Sequence, residues 1–229
     1  MRCVKVCFIS LVTTYSIYAT HPHLRFVYDW RGKLLDFMGQ VSLRDISLRQ
    51  LREEYQRRMP GLIQAWEREA PLLLAELKSA FNRIFTQHKR TVLVYLCNNW
   101  SYGSSRILAV GMRHILDPDP WEGMCSREET FVCTLFHELL HIWIDDHIDN
   151  RKSPLLQKYR NESTDTRDHI HLLALQRMIY RNLSRHDMLK FLDHSYRTLS
   201  PLSYKRAWSI VEDEGDEAIL RDVRISLKS

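Results

Sequence analysis

Hydrophobic residues recur at helical spacing between residues 48 and 85. Leu74, Leu77, Phe81 and Phe85 follow one another at intervals of three or four positions, which places them on one face of a helix. Prolines at positions 60 and 71 interrupt this stretch, and a proline inside a helix removes a hydrogen bond and clashes with the preceding turn. The pattern therefore predicts three consecutive helices, residues 48–58, 62–69 and 72–85.

The pattern changes to β-rich runs between residues 91 and 116. TVLVYLC (91–97) and SRILAVGMRHIL (105–116) flank the turn-like segment NNWSYGSS, and HLRFVYDW (23–30) is an earlier run of the same type. Branched and aromatic residues bounded by turn residues are typical of strands. These segments predict a small β-sheet.

Residues 127–145 are apolar around nearly the whole circumference of a predicted helix. Ser126 and Glu129 have the spacing of a capping box, which marks the start of such a helix. A helix that is apolar on all sides lies in the centre of a fold. Three further helical segments follow at 166–183, 186–197 and 201–214, and the acidic run at 212–217 is interpreted as a solvated face.

These elements predict an α+β fold that is mostly helical, with a small sheet before a buried central helix. A chain of 229 residues is long enough to bury one sizeable core. Because the sequence shows no internal repeat and no flexible linker, we predict a single domain over residues 20–229.

The first 19 residues have the pattern of a secretory signal peptide. Arg2 and Lys5 precede an apolar stretch that ends at Ala19. We therefore expect a secreted or periplasmic protein; the alternative is a buried first strand in a cytoplasmic one. No later segment approaches the roughly 20 apolar residues of a transmembrane helix, so no membrane span is expected after signal removal.

The charge pattern does not indicate a nucleic-acid partner. The formal net charge is +5, and lysine and arginine are spread along the chain instead of forming a basic stripe with interleaved aromatic residues.

His137, Glu138 and His141 form an H-E-x-x-H sequence on the predicted central helix. Histidines four positions apart project from one helix face and can chelate one metal ion, for which zinc is the usual choice. The glutamate can then act as the general base that activates a water molecule. This combination predicts hydrolysis of a polarised carbonyl, whereas the alternative is a pair of hydrogen-bonded core histidines.

The two predicted strands followed by a buried H-E-x-x-H helix resemble the zincin metallopeptidases. The resemblance covers about a quarter of the chain, and the first hundred residues match no peptidase family. It implies a zinc-dependent peptidase whose substrate lies along the edge strand before the active helix. Carried over, this makes RILAVG (residues 106–111) the strand that lines the substrate.

The third metal ligand is predicted on the helix that begins near residue 166. Its apolar face includes His171 and Asp168, whereas His169 lies nearer the edge of that face. We therefore expect His171 to complete the site, with His169 as an alternative. Asp168 is a further candidate, either as a ligand or as a residue that orients an imidazole.

Two other candidates follow from the zincin resemblance. His147 stands where some zincins place a third histidine, but Ile144 replaces the glycine that lets the helix turn back towards the metal. Glu162, in RNESTDTRD, resembles the glutamate ligand of thermolysin-like zincins, although Asp165 comes one position early.

The sequence thus predicts a zinc-dependent hydrolase, a metalloendopeptidase with Glu138 as general base and a protein or peptide as substrate. The alternatives are a non-catalytic protein with a structural zinc site, a zinc amidase acting on cell-wall or small-molecule amides, and an intracellular peptidase acting on nucleic-acid-bound proteins. A group that stabilises the oxyanion is also required. The sequence leaves four candidates unranked: Tyr180, Tyr204, His194 and Arg167.

Overall fold

The computed structural model describes residues 22–28, 48–87, 89–96, 101–104, 107–116 and 125–228. The predicted signal peptide, residues 1–19, lies outside these ranges, and so does Arg106, the first residue of the predicted substrate-lining strand. The strands are β1 (His23–Tyr28), β2 (Lys89–Tyr95), β3 (Tyr102–Gly103) and β4 (Leu108–Gly111). The helices are α1 (Leu48–Phe81), α2 (Arg113–Leu116), α3 (Arg127–His147), α4 (Pro154–Lys158), α5 (Thr164–Asn182), α6 (His186–His194), α7 (Leu202–Glu214) and α8 (Asp216–Ile225).

The predicted division of residues 48–85 into three helices is wrong, because α1 runs without interruption through both prolines. Pro60 and Pro71 are exposed, as are Gln56 and Glu67, whose carbonyls lose their helical donors. Water can therefore bind these carbonyls, which removes the penalty of an unpaired buried group. The opposite face of α1 buries Leu51, Leu62, Leu73 and Leu77, among others, in the core.

The strands form one mixed sheet in the order β1-β2-β4-β3. β1, β2 and β4 are parallel, and β3 pairs antiparallel with β4 through Gly103 and Leu108. The expectation that residues 106–111 form the edge strand is wrong. β4 lies between β2 and β3 in the described sheet, and the short β3 is the edge strand that contacts α3.

The helix α3 lies at the centre of the fold, as its apolar circumference predicts. It packs against α1, α5 and the strands β3 and β4. The predicted capping box is present: Ser126 accepts a hydrogen bond from the Glu129 backbone, and the Glu129 side chain accepts one from the Ser126 backbone. Phe131 and Phe136 are fully buried on different sides of the helix, and Trp143, two turns after Phe136 on the same side, is fully buried as well.

The helix α5 is also buried on more than one side. It packs against α3 and α1 and, on another side, against α7 and α8. The interpretation of residues 212–217 as a solvated face is wrong at Asp216, which begins α8. Asp216 is buried and pairs with Arg177 and Arg181 of α5.

The described structure confirms the α+β class, with mostly helices and a small mixed sheet. Within the described ranges, no helix is both long enough and apolar enough to cross a membrane.

Candidate metal centre

Three histidines from two helices come together between α3 and α5. His137 and His141 lie one turn apart on α3, and His169 projects from the first half of α5. The ring centroids are 5.0 Å apart for His137 and His141, 5.4 Å for His137 and His169, and 4.8 Å for His141 and His169. One ring nitrogen of each histidine lies within 4.8 Å of the others, an arrangement that can hold a metal ion.

The spacing fits a metal ion of ordinary size. An ion at the centre of three nitrogens spaced 4.8 Å apart would lie about 2.8 Å from each, and zinc–nitrogen bonds are about 2.1 Å long. Each imidazole therefore needs to shift inward by less than about 1 Å. Imidazole is a ligand for zinc, copper, iron and nickel alike, so three histidines do not by themselves identify the metal.

One ring nitrogen of His169 is engaged by the backbone, and the other is available to a metal. Its Nδ1 lies 2.6 Å from the Asp165 carbonyl, one turn earlier on α5, and therefore donates to it. Its Nε2 is buried and has no hydrogen-bond partner among the described residues. A buried polar atom without a partner costs free energy. A cation bound at Nε2 removes that cost, which is the most direct support for a metal at this cluster.

His137 is held by two contacts at its Nδ1 atom. Its Nδ1 lies 3.3 Å from Gln176 Oε1 and 3.0 Å from the Tyr196 hydroxyl. With Nδ1 engaged in this way, Nε2 is the nitrogen that remains for a metal. Partners of this kind on the second ring nitrogen are typical of metal-binding histidines.

The protein environment keeps these imidazoles neutral. Burial, followed by the charge of His169, lowers the pKa of His141 to about 3. Burial and the two neighbouring histidines lower the pKa of His137 well below its usual value, and burial lowers that of His169. Because only neutral imidazole binds a metal, the cluster is in its ligating form at neutral pH.

Glu138 is buried beside the cluster, at the point where the edge strand touches α3. Burial raises the pKa of its carboxyl group to about 8, and a hydrogen bond from the Gly103 backbone N–H acts in the opposite direction. A nearby cation would lower the raised pKa of Glu138 back towards its ordinary value. Without a cation this carboxyl group is mostly protonated at neutral pH, whereas a cation at the histidines would ionise it and make it a proton acceptor.

Gly103 allows the edge strand to reach α3. A Cβ atom at position 103 would lie 2.0 Å from the Glu138 carbonyl oxygen, which is far inside van der Waals contact. The close approach of β3 to the helix therefore requires glycine.

Two tyrosines complete the surroundings of the cluster. The ring of Tyr204, on α7, lies 3.9 Å from that of His169 and 6.3 Å from that of His137. Tyr196 lies in a π-helical turn (Ser195–Leu199) and its ring is 6.1 Å from that of Tyr204. Burial raises the pKa of both phenols, and the charge of Glu138 contributes to each. Both hydroxyls are therefore protonated donors near Glu138.

The structure brings His169, the alternative third ligand, into the cluster and places His171 elsewhere. His171 Nε2 lies 2.8 Å from Asp222 Oδ2 of α8. Residues two positions apart on a helix point in nearly opposite directions. Because α5 is buried on two sides, His169 faces α3 while His171 faces α8. The expectation of a single buried face led to the choice of His171.

The remaining ligand candidates do not join the cluster. Glu162 accepts a hydrogen bond from Arg206 at 2.8 Å. His147 donates through Nε2 to the Ile84 carbonyl at 2.7 Å, as expected for a helix that continues past Ile144. Asp168 is exposed on α5 and is not part of the histidine group.

Of the four oxyanion candidates, the structure places only Tyr204 against the histidines. Tyr180 is fully buried, and its hydroxyl accepts a hydrogen bond from Gln176. Arg167 precedes Asp168 on α5, and its Nε has no hydrogen-bond partner among the described residues. His194 ends α6, where its carbonyl accepts from Thr198.

The sequence interpretation did not select Gln176 or Tyr196. A glutamine in the middle of the apolar run LLALQRMIY is a signal for Gln176, because a buried amide needs hydrogen-bond partners. No local sequence pattern predicts the position of Tyr196, because the π-helical turn that contains it is a rare element without a recognisable sequence signal.

Comparison with known protein families, with curated proteins and with solved structures yields no match to this chain. The assignment of function therefore rests on the site itself.

Proposed function

We propose that this protein is a zinc-dependent hydrolase of the zincin type, a metallopeptidase with a protein or peptide substrate. The observation that carries the proposal is the cluster of His137, His141 and His169, with the buried Nε2 of His169 left without a partner among the described residues. The antiparallel edge strand β3 beside the H-E-x-x-H helix gives further support, because zincins bind substrate along such a strand.

A zinc ion held by these three histidines would supply a Lewis acid that polarises the substrate carbonyl and makes water more acidic. Glu138 accepts a proton from the attacking water and passes it to the leaving amine, since its buried carboxyl group has a raised affinity for protons. The backbone N–H of Gly103 holds this carboxyl group in place.

Tyr204 is the candidate that stabilises the oxyanion. It is partly exposed, its ring lies against His169, and its hydroxyl remains protonated near Glu138. A phenol in this position can donate a hydrogen bond to the negative oxygen that forms as water attacks the carbonyl.

The substitution Glu138→Gln tests the general-base role. The amide cannot accept the proton, so we expect kcat on a peptide library to fall by about 10²–10⁴-fold while zinc remains bound. Glu128→Gln, the same change near the start of the same helix, is the matched control and should leave kcat unchanged. Wild-type turnover in Glu138→Gln would remove the general-base assignment.

The substitution His169→Ala tests the third ligand. We expect it to lose zinc, whereas His171→Ala should retain a zinc equivalent and lose only thermal stability, because His171 binds Asp222. Retention of zinc at full affinity by His169→Ala would contradict the three-histidine site. A metal-site spectrum showing four protein ligands and no water would favour the non-catalytic alternative.

The substrate class can be determined by direct assay. A zinc amidase would share this mechanism, so parallel assays with peptides and with cell-wall amides distinguish the two substrate classes.

Export through residues 1–19 remains a prediction, and sequencing of the mature N-terminus tests it. An intact Met1 in the cytosol would contradict export and favour the intracellular alternative.

A further inference from the structure

Gln176 is fully buried in the middle of α5, behind His137. Its amide nitrogen donates to two acceptors: the Cys133 carbonyl at 3.2 Å and the Tyr180 hydroxyl at 3.1 Å. Both hydrogens of the amide are used in this way. The amide oxygen is therefore the atom that lies 3.3 Å from Nδ1 of His137.

The Cys133 carbonyl determines which way the amide points. A backbone carbonyl only accepts hydrogen bonds, so rotating the amide by half a turn would place two acceptor oxygens against each other. The orientation with Oε1 towards His137 is thus fixed by the backbone of α3.

A fixed acceptor at Nδ1 determines the tautomer of His137. Because Gln176 Oε1 can only accept, Nδ1 must carry the hydrogen, and Nε2 must present its lone pair. The Tyr196 hydroxyl, 3.0 Å from the same Nδ1, then accepts a share of this hydrogen. Both partners are neutral, so they orient the ring without placing a negative charge beside it.

We propose that Gln176 is a positioning residue that locks His137 in the Nδ1–H tautomer, so that Nε2 faces the cluster before any metal binds. The inference rests on the proposed metal site for its purpose, but the tautomer itself does not depend on turnover or on a bound ion. The Cys133 carbonyl of α3 orients the Gln176 amide of α5, and this amide in turn orients His137 of α3.

The first experiment is a long-range ¹H–¹⁵N correlation spectrum of the metal-free, full-length wild-type protein with labelled histidine rings. His137 should show a protonated Nδ1 and an unprotonated Nε2. An Nε2–H form, or a mixture of the two forms, would overturn the proposal whether or not the protein binds zinc.

The second experiment compares Gln176→Met with Tyr180→Phe. Methionine keeps the volume and removes the acceptor, so we expect zinc affinity, measured by chelator competition, to fall by about 10–100-fold. The His137 spectrum should then lose its single tautomer. In Tyr180→Phe the Cys133 carbonyl still orients the amide, so the tautomer should be unchanged and the loss of affinity smaller.

The outcomes separate the two proposals. If Gln176→Met keeps both the tautomer and the affinity of the wild type, Gln176 does not position His137. If the wild-type protein shows the Nδ1–H form but binds no added Zn²⁺, the proposed function fails and the tautomer assignment stands. If Gln176→Met does not fold, the wild-type spectrum and Tyr180→Phe still decide the question.

Discussion

Under the proposed function, the hydroxyl group of Tyr204 would take part in catalysis without binding the metal. Its ring packs on His169, but the nitrogens that could hold a metal belong to the histidines. We predict that Tyr204→Phe lowers kcat by about 10²-fold, as loss of one oxyanion donor does, while zinc affinity stays unchanged. Steady-state kinetics and chelator competition on the same protein measure the two effects.

Tyr159→Phe is the control for this prediction, because it removes a phenolic hydroxyl that binds Glu214 instead. It should leave kcat unchanged. An equal fall in kcat and in zinc affinity for Tyr204→Phe would show that Tyr204 acts by holding the cluster together.

At the scale of residues, the sequence identifies the part of the site that obeys a fixed spacing. His137, Glu138 and His141 lie within little more than one helical turn, so their proximity follows from helix geometry alone. His169 comes from another helix, and the choice between it and His171 depends on which neighbour each side of α5 faces. That information is tertiary, and a single sequence does not contain it.

The contact between β3 and α3 gives a prediction at the scale of elements. Gly103→Ala would drive a Cβ atom into the Glu138 backbone, so we expect the free energy of unfolding to fall by about 1–3 kcal/mol. The same shift of the strand withdraws the Gly103 N–H from the Glu138 carboxyl group and should lower kcat. Urea denaturation and steady-state kinetics measure these changes.

Gly61→Ala is the matched control for this substitution. Gly61 lies inside α1, and a methyl group added there would meet no atom within 4 Å. Alanine at this position should therefore raise the free energy of unfolding by about 0.5–1 kcal/mol. Equal stability of Gly103→Ala and the wild type would mean that β3 does not press against α3 as described.

At the same scale, the sequence predicts helices better than it predicts their interruptions. The capping box at Ser126 fixes the start of α3, because both hydrogen bonds are local. Pro60 and Pro71 led to a wrong prediction of helix ends. The free-energy cost of a proline inside a helix depends on whether water reaches the carbonyl that has lost its donor, and the sequence does not show this. The edge strand is assigned to the wrong segment because two residues of β3 carry too little pattern to recognise.

The packing of the whole molecule depends on a buried carboxylate that joins three helices. Asp222 of α8 accepts hydrogen bonds from Ser153 and the Leu155 backbone at the start of α4, and from His171 of α5. Burial alone would raise the pKa of Asp222, but the hydrogen bonds, that from His171 first, lower it below its usual value.

A lowered folded-state pKa fixes the sign of the pH dependence. The stabilisation by Asp222 is fully present above the pKa of the unfolded chain, about 4, and is lost as the pH falls through the lower pKa of the folded protein. We predict that Asp222→Asn lowers the free energy of unfolding by about 1–3 kcal/mol at pH 7 and weakens its dependence on pH below about 4. Urea denaturation at several pH values measures both, and an unchanged acid dependence would contradict the role of Asp222.

For the molecule as a whole, the sequence predicts the class of fold and leaves the arrangement of its helices open. The balance of helices and strands follows from hydrophobic spacing, and the structure confirms it at that level. The burial of Asp216 and Asp222 between helices cannot be predicted in the same way, because an acidic residue on a helix is usually solvated. The single domain over residues 20–229 remains a prediction.

The clustered histidines come from two helices that are separated in the sequence, and this has a consequence for the stability of the chain between them. A cation held by His141 and His169 would join α3 to α5 as a removable cross-link, closing the intervening chain into a ring. Like a disulfide, such a link restricts the unfolded ensemble if it survives unfolding, but a chelator can take it away without any chemistry on the protein. The rate of proteolysis between the two helices should then rise within minutes of adding a chelator. Adding zinc should lower this rate again.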